Sequence, residues 1–389
     1  MNGSPLDRMR VSGNDGRMDD TIRRLYIEPS SRCNLICAMC FRHAWQDEHF
    51  ADMDYATFEA VMRHLPDSVE SIFLGGMGEP LVHPRIVDMV AQAAATGRRV
   101  EMITNATLLT PERSRQLVEA GLGWLWVSID SFEAEAFGHI RQDKDYARLL
   151  AHLEAFNQAR NVRWHMGGVV RLGVNFVVSK SNVGQLGKIP SFAFKYTVDK
   201  VNISNFIPPN REAEKQVLCD RVIEWDMGLP REHQCAIDLP MLNWRDAGAM
   251  EGLRDLMSST HCQLSLSGQP ITRRNRYCRF VEEGQCFVRH DGLVAPCMEL
   301  LHTSSTSWHG YERLVRRHTF GHVGEQPLGH IWNSPEYTEF RDRVRRFDFS
   351  PCLHCSGCHL SEDNNEDCYG NEKPTCGACL WAEGLVSCP

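Results

Sequence analysis

From Thr21 to about Pro209 the chain alternates short, nearly continuous apolar runs with segments whose apolar residues recur at helical spacing. The runs are LYIEP (25–29), SIFLGG (71–76), RVEMITN (99–105), WLWVSID (124–130), VVRLGVNFVVS (169–179) and KVNISNFIP (200–208). Between them the pattern predicts helices over 54–65, 84–97, 111–121, Tyr146–Arg160 and 183–194. Asp54 stands where it can cap the first helix. The second opens at proline and closes at glycine, the usual polarity of helix ends. Six strand–helix units of this length predict an α/β fold with a parallel sheet and right-handed crossovers. Because the strands are apolar throughout, both their faces must be covered. An open doubly wound sheet and a curled, partly closed barrel both satisfy this pattern. In either, functional residues belong at the C-terminal ends of the strands.

Composition adds little until the cysteines are counted. Of 389 residues, 42% are hydrophobic and 24% charged, as in a globular protein, and the net charge of −8 gives no basis for a nucleic-acid or anionic-membrane partner. No apolar run approaches the ~18–20 residues of a membrane span. Residues 1–20 are polar, lack the apolar core of an export signal, and read as a disordered lead-in, so a cytoplasmic location is expected. The sixteen cysteines are unevenly placed: three at 33–40, three between 219 and 262, and ten between 278 and 388. In a reducing compartment such clustering points to metal rather than to cross-links. Cys219, Cys235 and Cys262 have no short metal spacing and read as small buried apolar residues.

The stretch CNLICAMC places Cys33, Cys37 and Cys40 in one loop directly after the first strand. Three thiolates at this spacing suit an iron–sulfur cluster, and three ligands on a four-iron cube leave one iron open to a small molecule. The bland alternative is a structural zinc site completed by His43. Other polar groups fall at the same mouth: GGMGEP (75–80) after the second strand, TNATLL (104–109) after the third, then Ser128, Asp130 and Asn175 on the fourth and fifth.

With these residues in place, the chain resembles the radical S-adenosylmethionine enzymes: CNLICAMC matches their CxxxCxxC signature, and GGMGEP is similar to their GGE-type motif. The resemblance implies a partial (β/α)6 TIM-like barrel over 21–210. It implies that Cys33, Cys37 and Cys40 hold a [4Fe-4S] cluster whose open iron is chelated by S-adenosylmethionine. Gly76, Gly78 and Glu79 would then meet the methionine amino group, Ser128 and Asp130 the ribose, Arg141 the carboxylate and Val177 the adenine. Asn105 joins them at the third strand end. Met39 stands where the family usually has an aromatic residue.

Residues 211–277 read as an irregular connecting segment, and 278–389 as a small irregular cysteine-rich domain. Within it HDGLVAPC predicts a hairpin turning at Asp291-Gly292 and ending at Cys297, and SPEYTEFRDRVRRF (334–347) predicts a helix. This block resembles the SPASM extension of radical S-adenosylmethionine enzymes, which implies two auxiliary [4Fe-4S] clusters. Its candidate ligands are Cys278, Cys286, Cys297, Cys352, Cys355, Cys358, Cys368, Cys376, Cys379 and Cys388. Cys278, Cys286, Cys297 and Cys368 are grouped on the hairpin cluster, and Cys352, Cys355 and two later cysteines on the other. The spacing alone also admits a zinc ribbon on the two CxxC pairs. None of His83, His354 and His359 is named as a ligand; each reads as a surface group or as a support behind one.

The expected activity is cleavage of S-adenosylmethionine to a radical that abstracts hydrogen from a peptide or protein, or during maturation of a metalloenzyme. The opening IEPSSRCNLICAMCFRHAW and closing CLWAEGLVSCP resemble the tungsten-cofactor oxidoreductase maturases. An electron donor such as flavodoxin or ferredoxin is implied as partner. Oxidation or epimerisation of a sugar or small metabolite is the second reading, and a non-catalytic iron–sulfur or zinc scaffold the third.

Overall fold

Each of the six apolar runs forms a strand: β1 (Arg24–Ile27), β2 (Ser71–Leu74), β3 (Arg99–Thr104), β4 (Trp124–Ser128), β5 (Arg171–Val178) and β6 (Lys200–Asn205). They pair in chain order, all parallel. The coordinates, a computed structural model, describe residues 20–46, 49–143, 145–165, 167–218, 278–308, 310–354 and 358–389. The lead-in up to residue 19, residues 219–277 with Cys219, Cys235 and Cys262, and Cys355 lie outside the described residues.

Helices α1 (Tyr55–Arg63), α2 (Ile86–Ala95) and α3 (Pro111–Glu119) follow the first three strands. Asp54 caps α1 by accepting from the Ala56 amide, and Thr110 caps α3 ahead of Pro111. The sequence pattern did not mark α4 (Ala134–Arg141), which carries Arg141 to the mouth. The next helix, α5 (Tyr146–His165), runs one turn beyond the expected end. Over 183–194 the chain forms a 3-10 turn (Val183–Lys188) followed by α6 (Ile189–Lys195). Gly184 and Gly187 weaken a continuous α-helix there, and Pro190 fits only a first turn.

The sheet is larger than six strands. Two strands of the cysteine-rich part, β7 (Gln285–Val288) and β8 (Val294–Ala295), extend it beyond β1 to give the order β6-β5-β4-β3-β2-β1-β7-β8. β7 lies parallel to β1, with Tyr26 opposite Phe287, and β8 returns antiparallel through the turn expected at Asp291-Gly292. One continuous core therefore contains Leu25, Phe73 and Met102 together with Phe287, Leu301 and Tyr337. The predicted C-terminal helix forms over Pro335–Arg346, capped by Ser334.

The floor beneath the strand ends is filled. Trp126 donates its indole N–H to Glu101 at 3.1 Å, and Arg24 pairs with the same carboxylate at 3.0 Å. The ring lies over Gly173 on the neighbouring strand, where a Cβ would come within 2.3 Å of it. Gly173→Ala is therefore expected to destabilise the chain by about 1–3 kcal/mol through overpacking. A thermal melt of the variant checks this, and an unchanged midpoint would show that Trp126 has room to move.

Candidate active site

The cysteine loop leaves β1 and ends in a 3-10 turn over Phe41–Ala44. It folds back on itself through the Cys40 amide, which donates to the Cys37 carbonyl at 3.0 Å. The loop is also tied to α4, since the Ala38 amide donates to the Ile140 carbonyl at 2.9 Å. Every sulfur faces an N–H group. Leu35 N lies 3.4 Å and Asn105 Nδ2 3.7 Å from Cys33 Sγ, Arg141 Nη1 3.8 Å from Cys37 Sγ, and Arg42 Nε 3.4 Å from Cys40 Sγ. Arg42 also bonds the Ser31 and Leu35 carbonyls and so braces the loop from inside. Burial pushes the Cys33 and Cys37 thiols up, so loading metal here must release protons.

The GGMGEP turn packs directly on this loop. A Cβ on Gly78 would sit 2.2 Å from the Ser30 carbonyl and 2.5 Å from that of Arg32, so only glycine permits the approach. Glu79 is buried, and its carboxylate accepts from Leu81 N (3.0 Å), Thr104 Oγ1 (2.7 Å) and Asn105 N (2.7 Å). Burial pushes this carboxyl up, against the pull of those three donors. Its visible work is to lock the end of β3 to the glycine turn. Asn105 in turn joins Asn34 and Thr107 in a small amide–hydroxyl network beside Cys33.

Asp130 and Arg141 form a buried ion pair with each other. Asp130 also accepts from Val177 N at 2.9 Å. Burial opposes the charge on Arg141, but Asp130 and the adjacent thiols hold it protonated. Its Nε is buried without a partner among the described residues. Cys33, Cys37, Cys40, Gly76, Gly78, Glu79, Asn105, Ser128, Asp130, Arg141 and Val177 all line one cavity of about 250 Å³.

Val386 and Ser387 line the same cavity, which the sequence did not signal. The last residues run along β6: the Leu385 carbonyl accepts from Asn205 Nδ2 (2.9 Å), and Ser387 N donates to Ser204 Oγ (3.0 Å). They then cross to β1, where Tyr26 Oη donates to the Pro389 carbonyl at 3.2 Å. This segment thus links the edge strand β6 to β1 across the mouth of the sheet. Ser387 also donates to Asn202, whose amide donates to Asn175 at 2.6 Å.

The electrostatic surroundings of the downstream cysteines fall into two neighbourhoods. Burial and the adjacent Cys379, Cys278 and Cys376 push the Cys297 thiol well up. Cys376 and Cys379 are raised likewise, each next to Cys278, and Cys376 reaches about 12. Cys352 instead neighbours Arg313 and the exposed Cys368, and Cys358 borders a cleft that Arg313 also lines. Two further cysteines meet aromatic side chains: Cys286 is fully buried with Tyr337 Oη 4.0 Å away, and Cys388 accepts from the Trp381 indole at 3.4 Å. His83, expected at the surface or behind a ligand, is buried with Nε2 2.9 Å from the Met53 carbonyl.

The geometry thus presents a cysteine loop at the mouth of a parallel α/β half-barrel, with a second, cysteine-rich part joined to its sheet. The family model of the Radical SAM superfamily matches residues 27–175, and that of the SPASM iron–sulfur cluster-binding domain matches 278–359. A tungsten-containing aldehyde ferredoxin oxidoreductase cofactor-modifying protein of Pyrococcus furiosus is 32% identical over 95% of this chain and 97% of its own. An AdoMet-dependent heme synthase of Methanosarcina barkeri is 25% identical over 92% and 97%. Among solved structures, Streptococcus suis SuiB bound to S-adenosylmethionine superposes with a TM-score of 0.59 at 18% identity, over 90% of this chain and 73% of that one. His-tagged anSMEcpe with bound AdoMet gives 0.57 at 14%, over 94% and 92%. The chain belongs to the radical S-adenosylmethionine superfamily, with a SPASM domain. It is an enzyme that uses S-adenosylmethionine and a [4Fe-4S] cluster, with iron–sulfur binding in the SPASM part as well. No helix among the described residues is long and apolar enough to cross a membrane.

Proposed function

We propose that Cys33, Cys37 and Cys40 are the protein ligands of the radical-generating cluster, and that the substrate is a metalloenzyme or its cofactor undergoing maturation. The observation that carries the first part is the three-thiol loop with an N–H group at each sulfur, a donor set that fits an iron–sulfur cluster and tunes its potential. When bound, that cluster supplies the electron that cleaves S-adenosylmethionine to the 5′-deoxyadenosyl radical. The chain's own residues position the cofactor. Gly76, Gly78, Glu79 and Asn105 frame its methionine end, Ser128 and Asp130 its ribose, and Val177 its adenine. Arg141 keeps an unpartnered Nε for the carboxylate while its other nitrogens meet Asp130 and Cys37.

In the same reading Cys278, Cys297, Cys376 and Cys379 hold one auxiliary cluster, and Cys352, Cys355, Cys358 and Cys368 the other. Eight ligands serve two clusters, and Cys286 and Cys388 are left as packed thiols. Identity of 32% with a cofactor-modifying protein over nearly the full length of both chains supports the substrate class. A cytoplasmic flavodoxin or ferredoxin would deliver the electrons.

The test is anaerobic reconstitution with iron and sulfide, reduction with dithionite, and measurement of 5′-deoxyadenosine. Cleavage is expected to rise when a tungsten-dependent aldehyde oxidoreductase or its extracted cofactor is added. Stimulation by small sugars instead would replace this substrate class, and S-adenosylmethionine bound without any cleavage would leave only a scaffold.

A further inference from the structure

Among the described residues, a buried polar cluster away from the cysteines lies against the glycine turn. Glu28, the residue after β1's last paired position, is almost fully buried, as are His290 in the β7–β8 turn and His302 beyond it. Its carboxylate accepts from His290 Nδ1 and from His302 Nε2, each at 3.0 Å. It also accepts from the Met77 amide at 3.2 Å. Met77 is the centre of GGMGEP, and the preceding Gly76 lies so close that a Cβ there would sit 2.7 Å from Glu28. Trp45 stacks on the outer face of His302 with ring centroids 3.9 Å apart.

Two histidines and a carboxylate could also hold a divalent cation. The proton pattern argues for a hydrogen-bonded clamp instead. Arg289 Nη1, which can only donate, approaches His302 Nδ1 at 3.3 Å, so that nitrogen accepts and the ring proton sits on Nε2, facing Glu28. A ligating histidine needs the reverse arrangement, with the metal-facing nitrogen bare and the other one donating. Burial works against the charge on Glu28, but His302 and His290 hold its carboxyl below the usual range.

We propose that Glu28 is a positioning residue for S-adenosylmethionine: gripped by His290 and His302, it fixes the Gly76–Met77 turn, so that the cysteine-rich hairpin sets how tightly the methionine end is held. The inference rests on the assignment of that turn to the cofactor. The linkage is reciprocal, so occupancy of the turn must also favour the docked hairpin. Glutamine at position 28 would be a poor substitute, because it offers one acceptor oxygen where three donors converge and turns an N–H₂ group toward them.

The experiment uses the full chain with reconstituted clusters and measures S-adenosylmethionine binding by anaerobic equilibrium dialysis, alongside iron content and thermal midpoint. Glu28→Gln is expected to weaken binding about tenfold at unchanged iron content, and His302→Leu by a similar factor. His302→Gln keeps an N–H donor and should bind within about twofold of the parent, while the Glu28→Gln/His302→Leu double variant should be no weaker than either single one. Unaltered affinity in Glu28→Gln, or additive losses in the double variant, would overturn the proposal. So would equal loss of iron and melting temperature in every variant, or a metal equivalent beyond cluster iron that disappears with Glu28. If the parent chain, fully loaded with iron, binds no S-adenosylmethionine, the assignment of the turn fails instead.

Discussion

Replacing Cys37 by serine is expected to abolish 5′-deoxyadenosine formation while removing about four irons of roughly twelve per chain. Cys37 is the most enclosed of the three loop thiols, and Arg141 reaches its sulfur. Serine there keeps the shape of the loop but offers iron a hard, protonated oxygen in place of a thiolate. The loop itself should survive, because its ties run through backbone groups, Ala38 to Ile140 and Cys40 to Cys37, and through Arg42. Iron analysis and product chromatography on one preparation separate the two effects. Retained cleavage with full iron would show that another residue completes the cluster. Loss of all the iron would show that the chain had failed to fold.

A second pair of variants discriminates the auxiliary ligands. Cys379→Ser should lose about four irons and lower the thermal midpoint strongly, because on the proposed assignment it would leave Cys278, Cys297 and Cys376 together without their metal. Cys286→Ser, although more deeply buried, should keep all its iron. Its sulfur neighbours the Tyr337 hydroxyl and is left out of the proposed ligand sets, so the expected cost is that of one polar group in an apolar site, about 1–3 kcal/mol. If instead Cys286→Ser loses iron and Cys379→Ser does not, the grouping of Cys286 with Cys278, Cys297 and Cys368 holds.

Much of the fold was legible because it is written locally. Each of β2 to β6 lies within its apolar run and β1 begins one residue ahead of its own, and the caps at Asp54 and Ser334 stand where their residue types indicate. The strands stop one to three residues before the runs do, because residues such as Glu28, Gly75 and Asp130 turn into the mouth. The glycines of 183–194 broke a predicted helix, and α4 was too short to stand out by periodicity. What could not be read were pairings across long separations. β7 beside β1, Glu28 with His290 and His302, and Ser387 with Asn202 link residues 185 to 274 positions apart, with no local pattern to announce them. The same holds for the Asp130–Arg141 pair. Each residue stood out as a polar group near a strand end, but their union depends on a helix the pattern missed.

The placement of β7 also bears on how such enzymes can be recombined. A boundary at 278 separates the two family models cleanly in sequence, yet in space it cuts through one sheet and one continuous core. Removing everything beyond it would bare the hydrogen-bonding edge of β1, a surface that invites pairing with other chains. A hybrid that takes its cysteine-rich half from a relative must therefore match more than cluster ligands. It must bring a strand that fits Tyr26 and Phe73, and partners for the carboxylate at position 28. Modules of this enzyme are exchangeable along that seam, or not at all.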